Sequence, residues 1–313
     1  MILGIDIGGA NTKIASSDGK HVELHYLPLW KKSMLPEALL DISARLVPEK
    51  VGVVITGELA DCFPDKDAGL SYIIDAVNNA FSEAWFLDSS GAFTKEKKRN
   101  IAAANWMASA LIVGRDFGDS IFVDTGSTTT DIIPIKNGKP LAAVTDFERL
   151  KKSELVYSGA LRTSIAALLD NVDVSGASSR TSSEFFAITA DAYLVLGKIS
   201  QDDYTCDTPD GAGKTVLDAR RRLARVVCAD LTEIKEEDIV SIAHQVMDIA
   251  DAINEVAQSH ELETIVACGL GEFLIKEAVD ELEFNIILIS ERYGKELSKV
   301  FPAYAVARLV EEM

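Results

Sequence analysis

The chain has 313 residues, 48% of them apolar and 26% charged, enough to bury a substantial core and to divide into two domains of ordinary size. Its formal net charge of −18, from 31 basic and 49 acidic side chains, argues against nucleic acid or anionic membrane as principal partner. Four cysteines lie far apart with no CxxC pair, no apolar stretch approaches membrane-spanning length, and the apolar run at Ile2 is broken by Asp6. A cytoplasmic protein with reduced thiols, no structural zinc, no membrane segment and no N-terminal signal is expected.

In chain order, Ile2–Ala15 (ILGIDIGGANTKIA) reads as a strand, a glycine turn and a returning strand. Ile14–Leu29 continues through the Ser17-Asp18-Gly19 turn into a third strand. Met34–Leu46 carries the apolar spacing of a helix, and Val51–Ile55 is a buried strand. Three antiparallel strands followed by helix and strand indicate mixed α/β architecture. The loop Thr56–Phe63 (TGELADCF) leaves the carboxyl end of that strand, where ligands gather in open α/β sheets. Gly69–Phe81 reads as a helix and Ala84–Leu87 as a strand; the basic run Lys95–Arg99 reads as a solvated loop. Ile101–Val113, rich in small residues, is expected to be helical and to pack between two lobes.

The second lobe is announced by Ile121–Ile135 (IFVDTGSTTTDIIPI), which repeats the layout of the N-terminus. Aligned on the aspartates, Asp6 falls on Asp124, Gly8 on Gly126, Thr12 on Thr130 and Lys13 on Asp131, 118 positions apart (124 minus 6). A duplicated strand–turn–strand predicts two similar lobes facing a cleft. Short turns of glycine and hydroxyl residues suit phosphate, and an aspartate at the lip suits a hydrated magnesium ion. An Asn137-Gly138 turn and a strand at Leu141–Val144 follow, then a substrate-side insertion over Phe147–Ala212. Asp210–Thr215 (DGAGKT) imitates a P-loop, but Thr208 stands where its first glycine belongs and no strand precedes it. It is read as a loop capping a helix at Val216–Val227, with arginines 220, 221 and 222 on the exposed face. Glu236–Ser259 reads as one long amphipathic helix with Ile239, Ile242, Ala243, Val246, Ile249, Ala250 and Ile253 on one face. A strand at Thr264–Ala267 runs into Cys268-Gly269-Leu270-Gly271-Glu272, a third turn facing an anion or nucleotide, or else simple glycine-mediated packing. A strand at Ile286–Ile289 and a helix at Tyr304–Val310 end the second lobe and return to the first. The expected division is 1–117 and 118–301, with the insertion at 147–212 and a helix over 302–313 completing the first lobe.

The three turns GIDIGGANTK, VDTGSTTTDI and VACGLGE resemble, over the whole chain, the actin-like ATPase superfamily of sugar kinases, heat-shock ATPases and actin. GGANTK and GSTTTDI look most like its hydantoinase A/oxoprolinase branch. TGELADCF, GSTTTDIIPI, ELVYSGALRT and CGLGEFL together are similar to an archaeal family of methanofuran biosynthesis. The resemblance implies an α/β fold of two actin-like, ribonuclease H-like lobes. It also implies a transferase that joins a furanmethanol diphosphate bearing an aminomethyl group to the phenol oxygen of γ-glutamyltyramine. Pyrophosphate would leave with Mg2+ and backbone donors stabilising its charge. Asp6 and Asp124 would position Mg2+ through waters. Gly8, Gly9, Asn11, Thr12, Gly126, Ser127, Thr128 and Thr129 would cradle the diphosphate, with Lys13 as a point charge. Glu58 or Asp61 would serve as base or bind the ammonium group, Arg162 would pair with the glutamyl carboxylate, and Gly269, Gly271 and Glu272 would border the substrate. Blander roles stand beside these: turn caps for Asp6 and Asp124, a helix start for Glu58, a structural ion pair for Arg162. Two rivals share the fold, an ATP-dependent small-molecule kinase or hydantoinase-like enzyme and a non-catalytic ATP-binding regulator. Association into a homo-oligomer is left open.

Overall fold

The first sheet grows outward from β1 (Ile2–Gly8), in which Leu3, Ile5 and Ile7 are fully buried, in a computed structural model describing residues 1–31, 34–244, 249–280 and 284–313. β1 turns back into β2 (Asn11–Ser16), which pairs antiparallel with β3 (Val22–Tyr26). α1 (Leu35–Leu46) leads to β4 (Lys50–Thr56), parallel to β1. α2 (Lys66–Ala80) starts three residues before the expected Gly69, because Asp65 caps it by accepting from the Ala68 N–H. β5 (Ala84–Leu87) and β6 (Phe93–Thr94) complete the order β3-β2-β1-β4-β5-β6. Val51, Val53 and Ile55 of β4 join Leu3, Ile5 and Ile7 against Leu39 of α1 and Ile73 of α2 on one face. The helix expected from Ile101 begins only at Asn105, as α3 (Asn105–Phe117). Ile101 sits in a single 3-10 turn, and Ala103 at φ 50° is left-handed, which breaks a continuous helix.

The second sheet repeats the opening move with β7 (Ser120–Thr125) and β8 (Thr130–Lys136). β9 (Lys139–Pro140) stops short of the expected strand at Leu141–Val144, where the Ala143 N–H is taken by the Glu154 carboxylate at 2.7 Å instead of a neighbouring strand. After α4 (Asp146–Leu150), β10 (Leu155–Val156) edges β8, and β11 (Asn171–Val174) with β12 (Ala177–Arg180) forms a separate hairpin. α5 (Thr189–Val195) precedes α6 (Val216–Arg225), which Thr215 and Asp218 cap reciprocally. Arg222 does not share the exposed face with Arg221: it is wholly buried and paired with Asp191. The expected long helix is described as α7 (Glu236–His244) and α8 (Ala250–His260); Val246 lies outside the described residues. β13 (Thr264–Cys268) runs parallel to β7, and α9 (Glu272–Val279) and β14 (Asn285–Leu288) complete the order β10-β8-β7-β13-β14.

α10 (Ile289–Tyr293) and α11 (Lys295–Lys299) lead to α12 (Phe301–Glu311). α12 lies on β1 and β4 of the first sheet so closely that a Cβ on Gly4 would sit 1.9 Å from the Ala303 carbonyl oxygen. Its Ala303, Ala305 and Val306 pack with Ala108 and Ile112 of α3, Val54 of β4 and Phe122 of β7 in one apolar cluster. α3 and α12 thus fill the space between the two sheets, and the carboxyl ends of β1, β4 and β7 open onto one cleft. No helix among the described residues is long and apolar enough to cross a membrane.

Candidate active site

The two hairpins hold their charged residues in the same register. Asp6 lies opposite Lys13 across β1 and β2, and Asp124 lies opposite Asp131 across β7 and β8. Period-2 alternation then separates neighbours: Asn11 and Lys13 line the cleft, whereas Thr12 between them is fully buried and absent from its wall. Asn11 Nδ2 donates to Ser127 Oγ at 3.1 Å, tying one turn to the other across the lobes. In the second turn the Gly126 N–H donates to the Thr129 carbonyl at 2.9 Å. The Gly126 carbonyl accepts from the Ala160 N–H, and the Ser127 carbonyl accepts from Leu161 and Arg162, at 2.9 to 3.1 Å. The segment ELVYSGALRT therefore braces the turn from behind while Gly126, Ser127, Thr128 and Thr129 face the cleft.

This cleft holds about 400 Å3 and brings together Asp6, Gly8, Gly9, Asn11, Lys13, Glu58, Asp61, Asp124, the second turn and Arg162. Gly269, Gly271 and Glu272 are not in its wall. Gly269, at φ +93°, lies against Asp124, where a Cβ would come 2.4 Å from Oδ1; Gly271 lies equally close against Thr125. The Gly271 N–H donates to the Thr125 carbonyl at 2.9 Å, and Glu272 accepts from Ser298 Oγ at 2.5 Å and the Ser290 N–H at 2.8 Å. The third turn supports the second from beneath.

Lys13 Nζ stands 3.3 Å from Asp6 Oδ2. Burial opposes the Lys13 charge, but Asp6 and Asp124 prevail and raise its pKa. Burial raises Asp6, with Lys13 opposing. Burial pushes Asp124 up to about 7, against the pull of Lys13 and with the repulsion of Asp131, Asp6 and Glu272. Glu58 is raised by burial, with Lys66 opposing and Asp146 adding, and Asp146 is raised by burial, with Arg149 opposing.

Several cleft residues went unnominated from sequence: Trp30, Asn105, Asp131, Asp146, Arg149 and Tyr157. Arg149 is buried, pairs with Asp131, reaches Asp146 at 3.3 Å and lies over the Trp106 ring at 5.0 Å. A signal for it existed. The repeat replaces Lys13 with Asp131, so the second hairpin has two facing acids and must find a cation elsewhere in the chain. Arg162 lies over the Trp30 ring at 4.3 Å and donates to Thr128 Oγ1 at 3.2 Å, so it too spans the lobes.

Six carboxylates (Asp6, Glu58, Asp61, Asp124, Asp131, Asp146) and three cations (Lys13, Arg149, Arg162) line the cleft. Asp6 Oδ1 and Asn11 Oδ1 are buried without hydrogen-bond partners. Such a surplus of negative charge with orphaned oxygens fits a cation. Among the described residues no three side chains form a metal cage, so Asp6 and Asp124 fit an ion such as magnesium that retains waters.

Two sheets opening onto a shared cleft through matched glycine turns define the actin-like fold. Among solved structures, a nucleotide-free acetone carboxylase aligns with TM-score 0.53 and 13% identity, over 95% of this chain and 51% of its own. The hydantoinase/oxoprolinase family profile matches residues 49–313. A protein of Methanocaldococcus jannaschii, the (4-{4-[2-(gamma-L-glutamylamino)ethyl]phenoxymethyl}furan-2-yl)methanamine synthase, is 44% identical over 100% of this chain and 98% of its own. The synthase of the same name from Methanococcus vannielii is 42% identical over 61% of this chain and 90% of its own. The chain belongs to the hydantoinase/oxoprolinase family, in its branch of methanofuran-biosynthesis synthases.

Proposed function

We propose that the protein is the transferase that forms the aryl ether of the methanofuran precursor, from a furanmethanol diphosphate bearing an aminomethyl group and γ-glutamyltyramine. The observation that carries this reading is the pair of facing turns, built of glycine and hydroxyl residues with Lys13 between two aspartates, in a chain 44% identical to a synthase named for that product. Donors on both turns would surround a diphosphate, Lys13 would add a fixed positive charge, and the aspartates would hold magnesium rather than phosphate. A bound magnesium ion would offset the negative charge that develops on the leaving group.

In the proposed reaction the bond between the exocyclic carbon and the diphosphate oxygen breaks, and both electrons leave with pyrophosphate. The furan ring delocalises the resulting positive charge. The phenol oxygen then bonds to that carbon and gives up its proton. An unperturbed phenol has a pKa of about 10, so proton removal needs a base during or after attack. Asp61 is exposed and lines the cleft, and in this reading it would take that proton and pass it to water. No step consumes ATP.

The test is pyrophosphate release by purified protein with Mg2+, both substrates and no ATP. Product formation supports the transferase. Silence without ATP, followed by phosphate or ADP release when ATP is added, favours the kinase-like alternative.

A further inference from the structure

We propose that Glu58 and Asp146 form a subsite for a primary ammonium group, with the aminomethyl group of the furan diphosphate as its occupant. The choice of occupant rests on the transferase reading; the subsite itself rests on the geometry. Glu58 leaves β4 of the first lobe in the TGELADCF loop, and Asp146 opens α4 of the second, so the two approach the cleft from opposite walls. Glu58 is only 2% exposed, and its Oε2 is buried with no hydrogen-bond partner. Lys66 Nζ stands 3.7 Å from the other oxygen, outside hydrogen-bonding range.

Charge in this part of the cleft is unbalanced. Glu58, Asp146 and Asp131 carry three negative charges, against which stand Lys66 and Arg149. Arg149 is shared between Asp131 and Asp146, so one negative charge remains without a partner. A buried carboxylate oxygen left unpaired is costly and is satisfied by a donor, best by one with a positive charge. A primary ammonium group is compact, carries three N–H donors and has no acceptor, so it can engage carboxylates on two walls at once. A divalent ion is the poorer occupant, because Lys66 and Arg149 already stand beside these two carboxylates and repel a double charge more than a single one.

Both proposed substrates carry a primary amine, and the experiment separates them. Pyrophosphate release would be measured for wild type, Glu58→Gln and Asp146→Asn in two comparisons. The first sets the aminomethylfuran diphosphate against its methyl analogue; the second sets γ-glutamyltyramine against glutaryltyramine. Wild type should prefer the aminomethyl substrate in kcat/KM, and each variant should reduce that preference about tenfold or more. Loss of preference for the glutamyl substrate instead would keep the subsite and overturn its assignment to the furan. An equal fall with every substrate, preferences intact, would overturn the subsite while leaving the transferase reading in place. Calorimetric titration with furan-2-ylmethanamine is independent of turnover. Binding to wild type that weakens about tenfold in both variants supports the subsite even if no pyrophosphate forms, and binding that is equal in all three proteins, or absent from wild type, overturns it.

Discussion

Asp124→Asn should make the protein more stable and inactive at once. Burial, with repulsion from Asp131, Asp6 and Glu272, lifts the Asp124 carboxyl from 3.8 to about 7 despite Lys13. A folded-state pKa above the unfolded value means that the folded chain holds the proton more tightly. Stability is therefore fully present below about pH 4 and falls as pH rises through 7. A rise of about three units corresponds to about 4 kcal/mol of destabilisation once the group is ionised. The rise to about 7 already includes the pull of Lys13, so asparagine recovers that whole term, less about 2 kcal/mol at any pH for burying an amide whose hydrogen bonds are not all met, and a net gain of about 2 kcal/mol is expected. At about 2 °C per kcal/mol for a chain of this size, the variant should melt about 4 °C above wild type at pH 8 in EDTA. At pH 5 the gap should nearly close. Thermal unfolding at both pH values provides the measurement, and pyrophosphate release should fall about a hundredfold or more in the same variant. Mg2+ should raise the wild-type melting temperature at pH 8 and leave the variant where it was. A variant that melts at or below wild type at pH 8 would refute the account of Asp124 as a strained, cation-seeking carboxylate.

Two further outcomes follow from contacts already described. Gly4→Ala places a methyl against the Ala303 carbonyl at 1.9 Å and should cost about 1 to 3 kcal/mol by forcing α12 off the first sheet, read as a lower unfolding midpoint in urea; an unchanged midpoint would count against the packing. Arg162→Lys keeps the charge but loses the planar stack on Trp30, and should raise KM for γ-glutamyltyramine about tenfold while leaving KM for the diphosphate substrate within about twofold; equal rises in both would remove Arg162 from the glutamyl side.

The two hairpins were legible because their chemistry is local. A glycine turn between apolar runs states strand, reversal and strand within fifteen residues, and two copies aligned on Asp6 and Asp124 imply the cleft. Arg149 was not legible in the same way. Its partners Asp131 and Asp146 lie on a different strand and at the start of its own short helix, and only the folded chain brings the three together. Arg222 was open to a better reading: in α6 it falls three residues after Ala219 and one before Leu223, on the face that helical period turns inward. The run of three arginines suggested solvent, and Asp191 supplies the buried partner that no local pattern announces. The glycines of the third turn admit either a ligand or close packing, and the fold takes the second: Gly269 and Gly271 are small because Asp124 and Thr125 press against them. From sequence, the two demands on a glycine look alike.

The seat of α12 on β1 and β4 has a consequence for synthesis. As the nascent chain leaves the ribosome, β1, β2 and β4 emerge early, but the helix that covers their inner face is made about 250 residues later. Until then Ala15 and Val54 lack part of the layer that buries them in the finished protein, where α12 supplies Ala303 and Val306. The first lobe to be translated is thus sealed only after the strands of the second, β7, β8, β13 and β14, have been made, and its halves of the cleft, Asp6 and Lys13, sit on strands that wait for α12.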